Sequence, residues 1–102
     1  MAKIIRQPLI LTDYDKESDV LYISFGKPRK AIGIEIEAGD IIRIDPFNDK
    51  IVGITLIDFD VRYGNRPGRT IKEKAKGIMT EILEKFKEYC KTKHPPINAC
   101  LS

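Results

Sequence analysis

Three arginines, Arg62, Arg66 and Arg69, lie close together in Val61-Arg62-Tyr63-Gly64-Asn65-Arg66-Pro67-Gly68-Arg69, and this segment runs directly into a helix start. Guanidinium groups beside a helix N-terminus favour an anion, because the backbone N–H groups and the helix dipole add to their charge. Tyr63 could add a stacking surface, so a nucleic-acid phosphate, an acidic peptide or a small phosphorylated ligand fits the pattern. Two facts weigh against it. Loop arginines are commonly solvated, and Thr70 with Glu73 occupies the helix end and brings in a competing negative charge.

The acidic series Asp13, Asp15, Glu17 and Asp19 invites a metal reading, since hard cations take several carboxylate oxygens. Its spacing does not match a calcium loop, which needs a glycine at the sixth position and a distal glutamate. Here the series runs straight into an apolar strand, and Asp and Ser in a hairpin connection cap backbone N–H groups. The metal expectation is therefore none. Cys90, His94 and Cys100 could be drawn as ligands, but no fourth ligand stands nearby and Pro95-Pro96 interrupts them. Two cysteines so close together do not make a disulfide framework, and free thiols are expected. The single histidine, His94, stands just before those prolines, so no general base is credibly held for a Ser or Cys nucleophile. Gly64 and Gly68 match neither a P-loop nor a dinucleotide fingerprint. The expectation is no catalytic residues, no cofactor and no enzyme.

The elements that must position these residues can be read from periodicity. Residues 9–59 alternate apolar and polar residues between turn clusters. Leu21, Ile23 and Phe25 share one face, as do Ile32, Ile34 and Ile36, then Ile42 and Ile44, then Val52, Ile54 and Leu56. The links between successive strands are too short for a parallel crossover, so an antiparallel β-meander is predicted. Thr70 and Glu73 then form a capping box. Ile71, Ala75, Ile78, Ile82, Phe86 and Tyr89 follow at helical spacing, predicting a helix over 70–92, roughly 33 Å long. Pro95-Pro96 forbids its continuation, and residues 94–102 read as a loose tail.

The fold class expected is α+β: one domain over 1–93, a small antiparallel β-meander packed against one long C-terminal amphipathic helix. The chain's 102 residues suit one domain, with 42% hydrophobic and 32% charged residues supporting a packed core under a charged surface. Neither a signal-peptide apolar region nor a run of about 18 apolar residues is found, so a cytoplasmic protein without membrane contact is expected. Residues 1–60 hold 8 Lys and Arg against 11 Asp and Glu, while residues 61–102 hold 10 against 4, so the halves carry −3 and +6. The basic half suits either a solvated helix or an acidic partner.

One helix covers one face of a small sheet. The other face would carry Val20, Tyr22, Ile41, Thr55, Ile57 and Phe59 beside Glu35, Glu37, Arg43 and Asp45, more apolar than full exposure usually allows. Self-association or a protein partner could bury it, or Leu9 to Leu11 and the C-terminal tail could fold over part of it. The function expected is a non-catalytic protein-interaction module using Tyr22, Ile57 and Phe59, either homo-oligomeric or bound to a protein partner. The alternative is nucleic-acid or anion binding through Arg62, Arg66, Arg69 and the Lys-rich helix.

The stretch from Tyr14 to Phe25, followed by Glu35-Ile36-Glu37-Ala38-Gly39-Asp40-Ile41-Ile42, by Asp45-Pro46 and by Lys50 to Phe59, resembles a widespread prokaryotic family catalogued as domain of unknown function 2283. The resemblance covers residues 9–60 and leaves the helix outside. It implies a small β-rich cytoplasmic protein without established catalytic residues. Some members are encoded beside small ribonuclease-like toxins, which implies an antitoxin-type binding role.

Overall fold

The period-two alternation forms strands, and the computed structural model describes residues 9–93, the side chain of Lys93 excepted. The strands are β1 (Ile10–Asp15), β2 (Val20–Phe25), β3 (Ile32–Glu37), β4 (Asp40–Ile44) and β5 (Ile51–Ile57), followed by helices α1 (Phe59–Tyr63) and α2 (Ile71–Lys93). All strand pairs are antiparallel. The α+β class and the long C-terminal helix are as expected, but the strand order is β1-β2-β5-β4-β3 rather than that of a simple meander. The reason lies in β5, Ile51-Val52-Gly53-Ile54-Thr55-Leu56-Ile57, whose interior from Val52 to Leu56 is buried on both faces. Its near-continuous apolar run is best satisfied at the centre of the sheet. Residues 26–31 must then carry the chain past the ends of β5 and β4, three strand spacings or about 14 Å, within reach of so short a link.

Close packing at the centre also requires Gly53, because a Cβ there would meet the carbonyl oxygen of Ile23 at 2.6 Å. On the helix side, Leu21, Ile23, Ile42, Ile44, Ile54 and Leu56 pack with Ala75, Ile78, Ile82 and Phe86 of α2 in one buried cluster. The helix begins as its sequence predicts. The Thr70 Oγ1 accepts from the Glu73 N–H at 3.1 Å, and the Glu73 carboxylate accepts from the N–H groups of Thr70 at 3.2 Å and Arg69 at 2.7 Å.

Three side chains depart from the expected faces. Phe59 is 3% exposed in the core, not on the open face. Asp58, in the left-handed conformation at φ 56, ends the alternation after Ile57 and turns the chain into α1. Phe59 thereby swings to the helix side, edge-on to Tyr14 with ring centroids 5.7 Å apart. Glu37 also leaves the open face, because a bulge between Glu35 and Glu37 resets the alternation and brings it within 3.0 Å of Lys85 on α2. Asp45 is buried in the turn after β4, where it accepts from the Phe47 N–H at 2.8 Å. The expected tail, 94–102, lies outside the described residues.

Candidate functional site

The sheet face turned away from α2 is built in rows by the strand register. Glu35, Ile41, Thr55, Tyr22 and Asp13 stand side by side across β3, β4, β5, β2 and β1. A flanking row holds Ile57, Val20 and Asp15. The opposite flank holds Gly33, Arg43, Gly53, Ser24 and Leu11. No element among the described residues packs over this face. Leu11, Tyr22 and Ile57 remain 36%, 38% and 36% exposed, while Thr55 between them is nearly closed off. The result is an apolar patch with acids at its two margins, Asp13 and Asp15 on β1 and Glu35 on β3.

The three arginines do not form one anion cradle. Arg62 lies in α1, not in a loop, and its side chain is directed inward. Its Nη1 donates to Asp40 Oδ1 at 2.9 Å, and its Nε and Nη2 donate to the Ile57 carbonyl at 2.8 and 2.6 Å. Arg66 pairs with Glu81 at 2.7 Å. Both guanidiniums lie against the buried Tyr63 ring, at 4.8 and 5.3 Å from its centroid, so Tyr63 offers no free stacking surface. Arg69 remains exposed on the surface with Lys72 and Lys76.

Asp40 is the residue that the sequence did not single out. Its side chain is 1% exposed, and its Oδ1 accepts from Arg62 Nη1 and, at 2.8 Å, from the Tyr63 hydroxyl. Its Oδ2 has no hydrogen-bond partner among the described residues, and the Lys85 ammonium stands 3.9 Å away. Burial, together with the hydrogen bond to Asp40, raises the Tyr63 pKa. Burial opposes the charge on Arg62, but the hydrogen bond and attraction of Asp40 outweigh it and raise its pKa. Lys85 is raised mainly by its hydrogen bond to Glu37. Gly39, at φ +89, leaves room for this network, since a Cβ there would lie 2.6 Å from Arg62 Nη2. These contacts join the β3–β4 turn, α1 and α2, and their chemistry is that of a structural clasp.

Two members of the acidic series, Asp15 and Asp19, act as caps, as the sequence reading expected of such residues in a hairpin connection. Asp15 Oδ1 accepts from the N–H groups of Glu17 and Ser18. Asp19 Oδ1 accepts from the Tyr14 hydroxyl at 2.7 Å and from the Asp60 N–H at 2.8 Å, so it caps α1 from a distant hairpin. The hydrogen bond to Asp19 pushes the Tyr14 pKa up to about 12, and the same bond lowers that of Asp19. A raised tyrosine stabilises the fold fully below its unfolded value of about 10 and loses that contribution as pH rises towards 12. Absorbance titration should therefore show Tyr14 ionising only near pH 12, in addition to a raised Tyr63, and Asp19→Asn should bring Tyr14 alone back towards 10. Ionisation of all tyrosines near 10 in the native protein would contradict the Tyr14–Asp19 bond.

No group of three or more His, Cys, Asp or Glu among the described residues is placed to hold a metal ion. Cys90 is disulfide-bonded rather than a free thiol, and His94 and Cys100 lie outside the described residues. No helix among the described residues is long and apolar enough to cross a membrane. The model of the family described as "Protein of unknown function (DUF2283)" matches residues 12–59, from β1 to the first residue of α1, which confirms the resemblance and leaves α2 outside it. No curated protein and no solved structure matches the chain.

Proposed function

Starting from a sheet that carries the signature of an uncharacterised family, we propose that the chain is a non-catalytic protein-interaction module that docks a basic protein partner on its open sheet face. One observation carries this reading: the face away from α2 exposes Leu11, Tyr22 and Ile57 together, with Val20 and Ile41 adjoining and nothing described above them. Scattered surface hydrophobics need no explanation, but a contiguous patch rimmed by polar groups is the usual mark of a docking surface. The partner's charge follows from the rim. Asp13, Asp15 and Glu35 flank the patch against one cation, Arg43, so the rim is acidic on balance and a complementary surface presents an apolar centre with Lys or Arg side chains beside it. Antitoxin-type binding, which the family resemblance implies, is one biological form of such docking.

Affinity capture from the native host tests the reading. The chain should retain a basic protein, and Tyr22→Asp and Ile57→Asp should each reduce retention at least about tenfold while both variants still unfold cooperatively. The side chains are more than a third exposed, so substitution there leaves the core intact. Retention of the same proteins by both variants would overturn the assignment of this face.

A further inference from the structure

We propose that two copies of this chain associate about a two-fold axis at the end of the sheet opposite the β1–β2 turn, with Phe47 of each copy inserted beside Phe25 and Pro28 of the other. This surface is separate from the open sheet face and does not depend on it.

Phe47 is 96% exposed, the most exposed of the large hydrophobic side chains described. It is carried on a turn that is already fixed. The Phe47 N–H donates to Asp45 Oδ1 at 2.8 Å, and the Lys50 N–H donates to Asn48 Oδ1 at 3.0 Å. Two backbone bonds close the turn, from the Asp49 N–H to the Asp45 carbonyl at 2.8 Å and from the Asp45 N–H to the Lys50 carbonyl at 2.9 Å. Asp49, at φ 58, takes the left-handed conformation that lets the chain return to β5. An aromatic ring held on a rigid turn needs little further ordering to bind, which is the condition under which such a ring acts as an anchor.

A matching hole lies at the same end. Phe25, Lys27, Pro28 and Arg29 line an open cleft of about 450 Å³, ample for a phenyl ring. Phe25 and Pro28 give it an apolar floor, and Lys27 and Arg29 supply cations at the rim that favour an aromatic face. Phe47 does not occupy the cleft of its own chain, since it is almost wholly exposed. The Arg29–Asp45 ion pair at 3.4 Å ties the cleft to the turn that carries Phe47. A protruding ring and its receptor therefore lie side by side.

That adjacency selects a second copy as the occupant. In a two-fold contact each residue meets in the partner the residue that meets it in return, so ring and cleft must share one patch. Separate patches would give an open chain of molecules instead. Charge agrees with this, because Asp49, in the turn that carries the ring, is opposite in sign to Lys27 at the rim of the cleft.

The chain has no tryptophan, so Phe47→Trp is a single-site reporter that keeps an aromatic ring at the tip. As concentration rises, light scattering should show monomer passing to dimer. The emission of the introduced indole should move to the blue and become shielded from iodide over the same range. Phe47→Ser should weaken dimerisation at least about tenfold with no change in the monomer's cooperative unfolding, and Lys27→Glu should weaken it as well. A chain that stays monomeric at every concentration overturns the proposal. So does a dimer in which the indole of the Phe47→Trp variant stays exposed to iodide, or one that Ile57→Asp dissolves and Phe47→Ser does not.

Discussion

Replacing Asp40 with alanine is expected to destabilise the fold by about 2–3 kcal/mol, because a buried acceptor shared by the buried Tyr63 hydroxyl and the partly exposed Arg62 guanidinium is lost. The loss is not that of one attraction. The carboxylate is 1% exposed and accepts from both Arg62 and Tyr63, so its removal leaves a guanidinium and a phenol facing an emptied site with Lys85 nearby. Arg62 cannot readily turn outward, because two of its donors are held by the Ile57 carbonyl at the end of the central strand. The contrast is Arg66 with Glu81, which pair on the surface with side chains 41% and 33% exposed. Arg66→Ala should cost under about 1 kcal/mol, because water screens that pair. Urea denaturation of the two variants checks both statements. Equal and small losses would mean that Asp40 is not the centre of a buried clasp.

Phe59→Ala is expected to cost about 3–5 kcal/mol, the range for removing a buried aromatic side chain. Alternation along β5 places Phe59 beside Ile57 on the open face, where truncation would touch binding and leave stability nearly unchanged. The structure gives the opposite result, because Phe59 lies among the core side chains against Tyr14 and Tyr63. The comparison with Ile57→Ala makes this decisive. Ile57 is 36% exposed and its truncation should cost much less than that of Phe59. Thermal or urea unfolding of the pair separates the two faces, and a smaller loss for Phe59→Ala than for Ile57→Ala would contradict the turn at Asp58.

Much of the architecture is legible because it is written in local patterns. The Thr70–Glu73 box and the stripe from Ile71 to Tyr89 define α2 at both ends and name its buried side. The alternation in β2 and β4 assigns Leu21, Ile23, Ile42 and Ile44 to the core face without any knowledge of pairing. Where expectation and structure part, a single residue or a long-range contact decides. Asp58 stops one alternation, and the bulge after Glu35 resets another, so Phe59 and Glu37 change sides. Strand order depends on which strand tolerates burial on both faces, and the run from Ile51 to Ile57 held that signal. The Asp40–Arg62 pair joins residues 22 positions apart, and no local period marks it. Arginine spacing suggested an anion cradle, but Asp40 and Glu81 turn two of its three members to internal use.

Docking on the open sheet face is best checked by a photocrosslinking amino acid placed at Tyr22 in the native host, with Lys87 on the solvent side of α2 as the control position. Crosslinks from position 22 to a basic protein, and none to that protein from position 87, are the expected result. Crosslinks to such a partner from position 87 but not from position 22 would contradict it.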